Sequence, residues 1–95
     1  MTVIALLTLD IHIPHAQSLK DKRMVVRSVK DRLRSKFNVA VAEVEHQELW
    51  QRAGLAVVTV STDQAHADRE LAAAADEIER VEPGLITRTE IEFLT

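Results

Sequence analysis

Hydrophobic and polar positions alternate along residues 3–13. Val3, Ala5, Leu7, Leu9, Ile11 and Ile13 share one side, and Ile4, Leu6, Thr8, Asp10 and His12 the other. A period of two over eleven residues predicts a strand with one wholly apolar face, ended by Pro14. The period then changes. Leu19, Val26, Val29, Leu33 and Phe37 recur at helical spacing, which predicts a helix over about 19–35. Ser18 begins it in an S-x-x-D capping pattern, with the Asp21 carboxylate near the positive end of the helix. Residues 37–46 are β-branched and small and read as a second strand. A connection from Gln47 to Gly54 follows, and residues 55–62 read as a third strand. Asp63 is an N-cap for a second helix with Ala67, Leu71, Ala74, Ile78 and Val81 on its buried stripe. Pro83-Gly84 ends that helix, and residues 85–94 form the last strand.

The order β-α-β-β-α-β predicts a ferredoxin-like α+β domain, a four-stranded antiparallel sheet with two helices on one face. A chain of 95 residues is one such domain, 1–95. The odd residues of the first strand should face the helices. The even residues should lie on an uncovered face, where Ile4, Leu6, Val39 and Val41 would form an apolar end. Asp10, His12, Glu43, Glu45, Arg88 and Glu90 would form a polar end. An uncovered apolar patch is a partner surface. With Trp50 of the connection, it predicts a homo-oligomer, in the simplest case a dimer. Trp50 itself reads first as an anchor packed back on the domain, and second as a hook for a partner.

Charge changes this picture. The net charge is −3, but residues 20–36 carry eight basic side chains against Asp21 and Asp31, a local excess of +6. Residues 63–82 carry seven acids against Arg69 and Arg80, a local −5. At 100° per residue, Lys20, Arg23, Arg27, Lys30 and Arg34 fall within an arc of about 80° and extend about 21 Å. The row is centred about 110° from the apolar stripe. Such a row matches a phosphate backbone, which guanidinium groups grip with two hydrogen bonds. The competing expectation is that the row pairs with Asp68, Asp76 and Glu79 of the second helix and is structural.

Other chemistry is poorly served. With no cysteine there is no disulfide, thiol nucleophile or thiolate metal site, which agrees with a cytoplasmic protein. The N-terminal run lacks a basic start and is broken by Asp10 and His12, so it reads as a strand rather than a leader. No apolar stretch reaches 18 residues, so no membrane association is expected. His12-x-x-His15 is interrupted by Pro14, and neither a metal nor any other cofactor is expected. No G-x-S-x-G elbow supports a hydrolase. Acylphosphatases share the size and element order, and Asn38 is suitably placed for one. Yet Pro14-His15-Ala16-Gln17 has no glycine with which to build an anion cradle. The first and third strands have no aromatic for base stacking in the manner of RNA-recognition motifs. No catalytic residue is assigned, and the chain is expected not to be an enzyme.

Ser18-Leu19-Lys20-Asp21-Lys22-Arg23, Phe37-Asn38-Val39-Ala40-Val41-Ala42-Glu43-Val44 and Leu49-Trp50-Gln51-Arg52-Ala53 together resemble the YlxP-like family of small bacterial proteins of unknown function. The resemblance covers nearly the whole chain. It implies a ferredoxin-like domain and, from the translation-related setting of such genes, an RNA or ribosomal-particle partner. It supplies no catalytic residue. The alternative is a homo-oligomeric regulatory or scaffold domain, with ACT-like ligand binding as a fold-level analogy.

Overall fold

The computed structural model describes residues 1–95. Six elements follow in the order β1 (Val3–His12), α1 (Leu19–Lys36), β2 (Ala40–Glu45), β3 (Arg52–Ser61), α2 (Gln64–Val81) and β4 (Ile86–Phe93). The sheet order is β2-β3-β1-β4, and every neighbouring pair is antiparallel. This is the ferredoxin-like α+β arrangement that the element order predicts. Neither helix is long and apolar enough to cross a membrane.

The core follows the period-two pattern. Val3, Ala5, Leu7, Leu9, Ile11 and Ile13 are all buried, and Ala53, Leu55 and Val57 join them from β3. Val26, Val29 and Leu33 close over them from α1, and Ala67, Leu71, Ala74 and Ile78 from α2. Both caps form. Ser18 Oγ accepts from Asp21 N at 3.1 Å, and Asp21 Oδ2 in turn accepts from Gln17 N at 3.0 Å. Asp63 Oδ1 accepts from Ala65 N at 3.1 Å. Val81, expected on the buried stripe, is 38% exposed, because it lies at the last position of α2, beyond the sheet that covers Ile78.

The register of β2 corrects the expected uncovered face. Val41 pairs with Val57, which pairs with Leu7, and cross-strand partners share a face. Val41 is therefore buried under the helices, and Val39 packs against the same cluster. Glu43 pairs with Leu55 and also points to the helix side. A one-residue change of parity moves a whole strand's side chains to the other face. The bulkier valines occupy the core parity, and Ala40 and Ala42 take the open one. The uncovered apolar strip is made instead by Ile4 and Leu6 together with their partners Val60 and Val58.

One buried group was not anticipated. Lys22 occupies the apolar stripe of α1 with Val26, Val29 and Leu33, at spacings of four, three and four, and is 1% exposed. Its Nζ donates to the carbonyls of His46 at 2.7 Å, Gln47 at 3.2 Å and Arg52 at 3.3 Å. Glu43 Oε2 lies 2.8 Å from the same ammonium and forms an ion pair with it. His46 adopts a left-handed backbone, φ 60°, a conformation in which histidine is enriched among non-glycine residues. Gly54, opposite the bulge in β2, leaves room for Glu45, whose Cβ would lie 2.8 Å from a Cβ at position 54.

Lys22→Met keeps the apolar stem and removes the charge, leaving Glu43 without its partner and the three carbonyls without the ammonium that joins them. Urea unfolding should show a loss of roughly 3–5 kcal/mol. Glu43→Gln should cost less, since the carbonyls still hold the ammonium. A change under about 0.5 kcal/mol for Lys22→Met, as expected of an exposed position, would show that the ammonium ties nothing together.

Candidate nucleic-acid interface

The rotation of α1 sorts its cations by azimuth. Lys22 faces the sheet with the apolar stripe. Arg32 and Lys36, on the flank toward α2, reach Glu77 Oε2 at 3.3 and 3.0 Å. Arg80 of α2 reaches the same carboxylate at 2.9 Å. Lys20, Arg23, Arg27, Lys30 and Arg34 lie on the opposite flank, toward the β2 edge, and none of them has a carboxylate within ion-pair distance. Lys30 is half-buried, and the other four are exposed.

The expected pairing of this row with Asp68, Asp76 and Glu79 does not occur. Those acids lie on α2, across the other side of α1 from the row. Glu79 instead accepts from Gly84 N at 3.0 Å, and Asp68 and Asp76 take part in no ion pair. Arg34 makes one long contact, 3.4 Å, to the Val41 carbonyl. Arg23, Arg27, Lys30 and Arg34, with Asp31 among them, line a shallow groove of about 380 Å³ between α1 and Glu43 of β2. Glu43 is already committed to Lys22, so the groove has a net positive lining.

The oligomer residues separate in the same way. Ile4 and Leu6 are half-buried on the open face, whereas Val39 and Val41 belong to the core side. Trp50 is not an anchor: it is 54% exposed, at the tip of the β2–β3 connection. Asn38, the residue compatible with acylphosphatase chemistry, is exposed, and its carbonyl lies 2.8 Å from Thr59 Oγ1. His12 and His15 do not converge with other ligands. Asp10, Glu45 and His46 do approach one another, with ligand atoms within 4.8 Å, at the polar end of the open face. Glu45 lies at this polar end as expected, but the bulge in β2 brings it there, since Glu43, two residues before it, faces the helices.

Glu77 is held well below the usual carboxylate range, at about 2 against 4.5, first by its hydrogen bonds from Arg80 and Lys36 and then by that from Arg32. The depressed value stabilises the fold above about pH 4.5, and this contribution is lost as pH falls toward 2. Between those limits the parent protein should lose stability more steeply than Glu77→Gln. Parallel melting curves at pH 5, 4, 3 and 2 test this, and identical slopes for the two proteins would refute it.

Comparison with known proteins agrees with the fold and stops short of an activity. The designed protein described as "De novo designed protein Foldit4" superimposes over 100% of this chain and 98% of its own, with a TM-score of 0.58 and 11% identity, a likeness of fold alone. The "Uncharacterized protein YlxP" of Bacillus subtilis (strain 168) is 37% identical over 81 residues, spanning 79% of this chain and 84% of that protein. The family model described as "Protein of unknown function (DUF503)" matches residues 4–91. The chain belongs to this DUF503 family, of which the YlxP-like resemblance of its three motifs is the sequence-level sign.

Proposed function

We propose that the protein is a non-enzymatic, cytoplasmic RNA-binding domain that holds a phosphate backbone along the exposed row of α1. The carrying observation is the division of labour among the cations. Glu77 takes Arg32, Lys36 and Arg80, Glu43 takes Lys22, and none of the five residues of the row forms an ion pair. A row of unpaired cations on a rigid helix repels itself, and a polyanion relieves that repulsion while releasing its own counterions. RNA or a ribosomal particle fits this chemistry.

A second reading, self-association through the open face, rests on a different observation. Val60 is 56% exposed beside the half-buried Ile4, Leu6 and Val58, and no element of the chain covers them. The two readings use opposite faces of the domain and are compatible.

Binding to single-stranded RNA through three to five contacts should weaken with salt at a log–log slope of roughly −2 to −3.5. Arg27→Glu with Arg34→Glu should nearly abolish it while leaving the melting temperature almost unchanged, because neither side chain has an acidic partner to lose. Filter binding across a salt series and thermal melts of the double variant decide the matter. Salt-insensitive binding, or none, would remove the reading. For the open face, Ile4→Asp should shift the sedimenting species from dimer to monomer. A parent protein that is monomeric at high micromolar concentration would end the second reading.

A further inference from the structure

The β2–β3 connection is fastened on both sides of Trp50 while the indole remains in solvent. Before it, the carbonyls of His46 and Gln47 are bound by Lys22, and Leu49 N donates to the His46 carbonyl at 3.0 Å. After it, Gln51 Nε2 donates to the carbonyls of Pro14 and Ala16, both at 3.2 Å, and Ile13 N donates to the Gln51 carbonyl at 2.8 Å. The Arg52 carbonyl is the third acceptor of Lys22. The indole N–H has no acceptor within the chain. A large apolar ring has therefore been placed in water on a loop that cannot fold it away. His12, Glu48, Leu49, Gln51 and Arg52 surround it in a shallow, open concavity of about 440 Å³. His12 and Arg52 stand opposite each other in the β1–β3 register, and Arg52 has no carboxylate partner.

The concavity lies at the same end of the domain as the start of α1, with His12 and Arg52 on the open parity of the sheet. Lys22, which grips residues 46, 47 and 52, is the chain neighbour of Arg23, so the first turns of α1 and the Trp50 loop occupy the same end of the domain. We infer that Trp50, flanked by Arg52 and His12, is a stacking platform for one unpaired base of an RNA strand whose phosphates follow Arg23 to Arg34. This rests on the phosphate-binding reading of α1 and adds its specificity for unpaired RNA over a bare polyanion. Trp50 supplies the π-face, Arg52 a donor that reaches base edges or a phosphate, and Glu48 an acceptor for exocyclic amino groups. The open sheet face offers no aromatic in its place.

Trp50 is the only tryptophan, and there is no tyrosine, so intrinsic fluorescence reports this residue alone. The experiment titrates the intact protein with a single-stranded RNA oligonucleotide and with an abasic sugar–phosphate oligomer of equal length and charge. Both should bind with the same salt slope. Only the RNA should quench the emission, and it should bind about five- to 150-fold more tightly, the span measured for base–aromatic stacking. Trp50→Ala should bring RNA down to the abasic affinity without altering the salt slope, and Trp50→Phe should keep most of the difference. Equal affinities for the two oligomers, with the salt slope intact, would overturn the platform and leave the α1 reading standing. Base-dependent quenching that survives Arg27→Glu with Arg34→Glu would keep the platform and overturn the row. Failure of both oligomers to bind at low salt would overturn both.

Discussion

A single ammonium group sets the geometry of one end of this domain. Lys22 stands where the helical pattern calls for an apolar residue, and it is accommodated because three carbonyls and one carboxylate surround it. A buried charge without such partners costs several kcal/mol, and with them it becomes a directional tie. The tie joins α1 to the start and the end of the β2–β3 connection. Gln51, bonded to Pro14, Ala16 and Ile13, fastens the same six-residue loop on its other side. The left-handed His46 and the bulge at Glu45 are part of the same arrangement, since both turn main-chain atoms toward the lysine or clear space beside it.

The same helix then distributes the rest of its charge by azimuth. Arg32 and Lys36 share Glu77 with Arg80 and fasten the two helices. The row from Lys20 to Arg34 lies on the far flank, where α2 and its acids cannot reach. Segregated charge in a sequence is compatible with an ion-pair seam or with a free basic surface. The rotation of α1 over the sheet selects between them, and here most of the cations remain in solvent.

Two surfaces result, on different sides of one sheet. The helix side presents the groove lined by Arg23, Arg27, Lys30 and Arg34, and Trp50 stands exposed at the tip of the β2–β3 connection, at the end of the sheet. The open side presents Ile4, Leu6, Val58 and Val60.

The sequence by itself determined the element order, the core face of β1, the stripe of α2 up to Ile78 and both helix starts. Each depends on local periodicity or on a cap whose bonds span only a few residues. It also determined which cations share an arc of α1, since that follows from helical rotation alone. Lys22 was legible only in retrospect, as a polar residue in phase with Val26, Val29 and Leu33. Its acceptors are main-chain carbonyls, which leave no mark in a sequence. The tertiary structure decided the rest. It placed Val39, Val41 and Glu43 on the helix side, because short β2 takes its parity from pairing with β3 rather than from its own weak alternation. It turned the basic row away from α2, because packing on the sheet fixes which flank each azimuth faces. It left Trp50 in water, because the loop is held by its backbone rather than by its largest side chain.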